Sequence, residues 1–191
     1  ATRAVTFVVA GAAIAMALSC GPSSPEHQRA ESIVRSATSV ETYRIHTPGM
    51  TNREFRKTDP NVTGKFVGEY PVDSRGLTMP VEFADRLEDF LLDSWAFWEP
   101  PLLGQKACVF DPGVVFRMRH GADYADVVIC FDCDQLVVET TQGRLDLDGG
   151  DFDLGRGPLV KMAQEAVPGA AVIRALAPGK GGACPLHTSD A

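Results

Sequence analysis

Apolar and polar positions change rhythm several times along this chain, and each change marks an element. Residues 4–18 are apolar throughout except for Thr6 and Gly11, then "GPSSPEHQ" turns polar. Fifteen residues fall short of the roughly 20 that a membrane-spanning helix needs and suit the apolar centre of a signal peptide, 1–19. Residues 20–30 read as an extended tether because Ser23, Ser24 and Pro25 favour a solvated chain. Residues 30–36 could form a short helical turn. In 39–46, Val40, Thr42, Arg44 and His46 alternate with Glu41, Tyr43 and Ile45, which predicts a strand. A second strand is expected at 65–73, closed by Pro71 and a turn at Ser74, Arg75 and Gly76.

The helical period is clearest over 79–97. Phe83, Leu87, Phe90, Leu91, Ser94 and Trp95 recur every three or four residues, while Glu82, Asp85, Arg86, Glu88 and Asp89 fill the other faces. Thr78 is the expected cap, Pro80 suits the first turn and Pro100–Pro101 ends the helix. A Phe/Trp stripe at this spacing reads as core. Four short β-type runs follow: 106–110, 114–119, 124–130 and 135–141. Asp111-Pro112-Gly113, His120-Gly121-Ala122-Asp123 and 131–134 supply the turns between them. In the second run Val114, Phe116 and Met118 share one face and Arg117 and Arg119 the other, as a sheet with one solvated face requires. An acidic, glycine-rich loop then leads to a helix at 158–167, and 178–191 reads as a disordered tail. The expected fold is α+β: an antiparallel β-meander with one long amphipathic helix and a shorter C-terminal helix packed on one face, forming a single globular domain over 31–177.

Charge narrows the partners. The 191 residues carry formal charge −7; without residues 1–19 and their one charge, Arg3, 172 residues of charge −8 remain. That balance argues against nucleic acid, which needs a basic patch, and against electrostatic docking on anionic lipid. After residue 20 no apolar stretch is long enough to cross a membrane, so membrane attachment would come from an anchor.

Candidate chemistry centres on cysteine. Cys108, Cys130, Cys133 and Cys184 follow Cys20. In an oxidising compartment these would pair. Residues three apart on a straight strand are about 10 Å apart, beyond disulfide reach, so a Cys130–Cys133 bond requires the chain to turn at 131–134. Alternatively Cys108 could bond to one of the two, closing a loop of about 20–25 residues and stabilising by roughly 3 kcal/mol. A zinc site, which needs four ligands, could use Cys108, Cys130 and Cys133 with His120, Cys184 or His187 completing the set. "CFDCD" lacks the histidine of haem attachment, and its β-type flanks differ from a thioredoxin-like motif, which opens a helix. Asp146, Asp148, Asp151 and Asp153 miss the order of an EF-hand loop and read as a solvated acidic loop. His46, His120, Arg117 and Arg119 could line a site, but no nucleophile–base motif accompanies them, so no catalytic residue is assigned. Asn61-Val62-Thr63 matches a glycosylation sequon.

Two resemblances add to this reading. Ala17-Leu18-Ser19-Cys20 and its polar follow-on resemble the lipobox of bacterial lipoproteins, although Ala17 stands where that pattern usually has Leu. The resemblance implies cleavage before Cys20 and acylation of its sulfur, hence a stable lipid anchor. "ACVFDPGVVFRMRHG" with "ADVVICFDCDQLVV" is similar to a pattern in uncharacterised bacterial exported lipoproteins: Cys-Phe-x-Pro, an Arg-bearing strand, and Asp-x-x-x-Cys-Phe-x-Cys. It covers about 106–138, with Val109 intervening between Cys108 and Phe110. It implies that Cys108, Cys130 and Cys133 form one unit and leave Cys184 outside it. The expectation is a membrane-anchored lipoprotein of the bacterial envelope, periplasmic or at the cell surface. Its domain would be non-enzymatic, without a cofactor, and would meet the membrane through its anchor and an envelope protein as partner. The alternative is a zinc-binding or thiol-redox protein.

Overall fold

The computed structural model describes residues 24–46, 65–93, 110–145 and 150–179. These form seven strands and four helices: α1 Pro25–Arg35, β1 Ser39–Ile45, β2 Phe66–Val67, β3 Tyr70–Met79, α2 Val81–Leu92, β4 Val114–His120, β5 Asp123–Cys130, β6 Gln135–Thr140, β7 Gly143–Leu145, α3 Arg156–Ala166 and α4 Ala171–Arg174. The strands make one antiparallel sheet in the order β2-β3-β1-β4-β5-β6-β7. The class is α+β. The meander from β4 onward lies where the alternation predicts it, and β7 extends it by one strand into the expected acidic loop. The expected first run, 106–110, lies outside the described residues except Phe110, which is not in a strand.

Period-2 patterning decides which side chains enter the core. Val40, Val114, Phe116, Met118, Ala125, Val127, Ile129, Leu136 and Val138 point from four strands into a single cluster. All four helices contribute to the same cluster, so they cover one face of the sheet. Phe83 of α2 meets Phe116 of β4 edge to face, with centroids 5.6 Å apart, a geometry worth about 1 kcal/mol beyond area burial.

Three expectations are corrected. The tether at 20–30 and the short turn at 30–36 are replaced, from residue 25 on, by α1. Ser24 caps it by accepting from the His27 amide at 3.1 Å, Pro25 occupies its first turn, and Ala30, Ile33 and Val34 bury one stripe. The amphipathic helix begins at Val81, not Met79, and ends at Leu92; residues 94–97 lie outside the described set. Thr78 and Met79 belong to β3, and Pro80 precedes the helix without a side-chain cap. The turn expected at Ser74, Arg75 and Gly76 is strand, because β3 continues beside β1 through two register shifts. Gly76 permits this: a Cβ there would overlap the Thr42 hydroxyl and stand 2.6 Å from the Ala166 carbonyl oxygen. The C-terminal helix spans Arg156–Ala166, with Pro158 in its first turn.

The opposite face of the sheet has two halves. Ile45, Val67, Val72, Val115 and Val128 form a small apolar cluster flanked by Tyr43, Tyr70, Phe110 and Val137. Beside it runs a charged lattice. Arg117 holds Asp126 through two bonds of 2.7 Å and lies 4.3 Å above the Tyr124 ring; Arg119 reaches Glu41 at 3.1 Å. The hydrogen bond to Asp126 holds the Arg117 pKa above its ordinary value despite burial.

Candidate functional site

Three candidate groups of the sequence do not come together. His120 sits at the β4–β5 hairpin, its Nδ1 donating to the Ser36 carbonyl at 2.7 Å. His46 lies just past the other end of β1, where β1 runs antiparallel to β4, eight residues along the strands or roughly 26 Å away. Arg117 and Arg119 belong to the charged lattice on the outer face. Asp151 is buried beside β6, opposite Gln135, and its Oδ1 accepts from the Asp153 amide. Cys20, Cys108, Cys184, His187, Asn61, Asp146 and Asp148 lie outside the described residues.

Cys130 and Cys133 do meet. The chain turns at 131–134, bringing their Cα atoms to 5.7 Å, and a disulfide joins them. Both residues are buried, whereas a redox-active thiolate needs partial exposure. A bond between them also leaves neither sulfur for Cys108. Among the described residues no three His, Cys, Asp or Glu groups stand close enough to hold a metal ion.

The turn is pinned from behind. Asp134 adopts φ of 52°, a left-handed conformation that Asp tolerates better than most residues. Its carboxylate pairs with the Arg156 guanidinium, which also donates to the Phe131 carbonyl at 2.6 Å and to the Ala177 carbonyl at 3.1 Å. All the side chains of this ion pair are buried. Phe131 stacks edge to face on Phe152, 5.9 Å between centroids. A single arginine at the start of α3 therefore ties the cysteine turn to the segment following α4.

In front of that turn lies a cleft of about 80 Å³. It opens where β1 ends, β4 begins and β5 turns. Two backbone bonds place the connecting segment: the Ile45 amide donates to Gly113 O at 3.2 Å, and the Gly113 amide to Ile129 O at 3.0 Å. Arg44 and His46 form one edge, Asp111 and Asp132 lie on the other strands' side, and Phe131, Ile173 and Leu176 supply an apolar wall. Asp73 of β3 sits beneath the basic edge and is buried. Its Oδ1 is 2.7 Å from His46 Nδ1 and its Oδ2 is 4.0 Å from Arg44 Nε. With Asp73 as a carboxylate, His46 carries its proton on Nδ1. Nε2 is then the ring nitrogen left for the cleft, and His46 is one-third exposed.

No protein-family model, curated protein or solved structure matches the chain. Sequence reasoning singled out His46 but missed Arg44, Asp73, Asp111, Asp132 and Arg156. One signal was present: Arg44 shares strand parity with core-facing Val40 and Thr42, and a charged residue at such a position implies a buried partner. The separation of Asp73 from Arg44 hid that partner.

Proposed function

We propose that the chain is a membrane-anchored lipoprotein of the bacterial envelope whose globular domain is a non-enzymatic binding module. The observation that carries this reading is the apolar run 4–18 ending in Ser19-Cys20 and a polar follow-on. The bonded, buried Cys130–Cys133 pair supports export, since such bonds persist in oxidising compartments. The cleft beside it, with charged edges and an apolar wall, supports binding. It also favours this reading over zinc or thiol-redox chemistry at Cys108, Cys130 and Cys133, because two of those sulfurs are bonded and buried. Metabolic labelling with a fatty acid in a bacterial host tests the anchor. Label incorporation and membrane fractionation should both be lost in Cys20→Ser; label that survives this substitution refutes lipidation at Cys20.

A further inference from the structure

We propose that the cleft binds a small zwitterion of the α-amino-acid class, with its carboxylate on Arg44 and His46, its ammonium on Asp111 and Asp132, and an aliphatic side chain against Phe131, Ile173 and Leu176. It names the ligand of the binding module inferred above and rests on that reading, while lipid anchoring is independent of it.

The arrangement of charge selects the ligand. Arg44 and His46 are two residues apart, both line the cleft, and both lean on the buried Asp73. Neighbouring strands are about 4.8 Å apart, so the segment carrying Asp111 is roughly one strand spacing from the basic edge, and the turn carrying Asp132 roughly two. A ligand lying between these edges meets a guanidinium and an imidazole on one side and carboxylates on the other. A simple anion would face Asp111 and Asp132; a simple amine would face Arg44. A molecule carrying both charges on one short skeleton satisfies both edges. Arg44 presents a planar fork that matches a carboxylate, and its side chain is only 10% exposed, so water screens the contact weakly. Asp73 orients His46 from behind, and the ring, once protonated, can donate from Nε2 to the same carboxylate. Size points the same way. About 80 Å³ is well below the roughly 300–1,000 Å³ of pockets that enclose larger ligands, so a handful of heavy atoms fit. The apolar wall accounts for a hydrocarbon side chain. The Arg156 clamp holds the turn at Phe131 and Asp134 in place before the ligand arrives, which lowers the ordering cost of binding.

Amide-resolved NMR titration of the full chain tests this with three probes: L-leucine, 3-methylbutylamine, which lacks the carboxylate, and 4-methylpentanoate, which lacks the ammonium. Leucine should give saturable shifts centred on residues 44–46, 111–113, 131–132 and 172–176. Each single-charge analogue should bind at least about tenfold more weakly, the loss expected for one charge-assisted contact. Asp111→Asn, on the half-exposed rim, should weaken leucine by a similar factor and keep the spectrum otherwise intact; His46→Gln should do the same through the carboxylate. Absence of saturable shifts up to about 10 mM leucine, equal binding of either analogue, or an unchanged affinity in Asp111→Asn overturns the assignment. Recovery of leucine unaltered is expected. Turnover of leucine would overturn the non-enzymatic reading while leaving the site, and a silent titration of a lipidated chain would overturn the ligand alone.

Discussion

Replacing Arg156 with Met isolates a buried electrostatic dependency of the cysteine turn. The substitution keeps an apolar stem of comparable length but removes the guanidinium that pairs with Asp134 and donates to the Phe131 and Ala177 carbonyls. Asp134 is 4% exposed, so its charge would be left in the interior without that cation. Removing one partner of a buried ion pair costs about 3–5 kcal/mol, and the carbonyls that lose a donor fall within the same range, since these contributions do not add. For a chain of this size each kcal/mol moves Tm by about 2–4 °C, so a fall of roughly 6–20 °C is expected. Circular dichroism melts and urea titrations of the wild type, Arg156→Met, Asp134→Gly and the double variant give the full cycle. Glycine at 134 removes the carboxylate and accepts φ of 52° without strain. The double variant holds no unpaired charge, so it should be more stable than the sum of the two single losses by at least about 2 kcal/mol. A loss below about 1 kcal/mol in Arg156→Met, or strict additivity in the cycle, would show that this pair does not hold the cysteine turn.

Gly76→Ala should destabilise by about 1–3 kcal/mol in urea unfolding, because its Cβ has no room between Thr42 and Ala166; an unchanged midpoint would contradict the tight β3–β1–α3 contact. Replacing both Cys130 and Cys133 with Ser should cost on the order of 2 kcal/mol, the chain-entropy value for so short a loop. In the native, unreduced protein neither residue should react with iodoacetamide, and rapid labelling of either would refute the buried disulfide. The Glu41–Tyr43 pair gives stability a two-sided pH dependence. Burial opposes the charge on Glu41, but hydrogen bonds from Arg119 and Tyr43 and the nearby arginines overcome it and hold the carboxyl below its ordinary 4.5. Its contribution is present above the unfolded value and is lost as pH falls through the lower folded one. Burial first, then the bond to Glu41, raises the Tyr43 hydroxyl above its ordinary 10.0. That contribution is complete below the unfolded value and is lost as pH rises through the folded one. Glu41→Gln should therefore flatten the acid limb of a stability–pH profile and Tyr43→Phe the alkaline limb; limbs unchanged by these substitutions would count against the pair.

Local periodicity made much of the sheet legible. The alternation at 39–46, 114–119, 124–130 and 135–141 falls on β1, β4, β5 and β6 within a residue or two, and the turn at 131–134 is where two apolar runs needed one. The α2 stripe of Phe83, Leu87, Phe90 and Leu91 is buried as its spacing requires. These features depend on neighbours within a few positions, and side-chain period alone expresses them. Where the sequence misled, a distant contact outweighed the local signal. Pro25 and the serines before it suggested an extended tether, yet Ala30, Ile33 and Val34 find a core to bury in, which supports a helix of only eleven residues. Ser74, Arg75 and Gly76 have turn-like composition, yet β3 runs on because β1 supplies its hydrogen-bond partners.

By itself, then, the sequence determined the elements on either side of the cysteine turn, the polarity of each sheet face and the apolar run at 4–18. Only the tertiary structure decided the cleft. Arg44, Asp73, Asp111, Asp132 and Ile173 come from five separate segments, and they meet because β1 inserts between β3 and β4 while α4 closes over the sheet's end. No local period encodes that meeting. The cost of burying a charge without a partner is what binds Arg44 to Asp73 and Arg156 to Asp134, and those partners lie 29 and 22 residues apart along the chain.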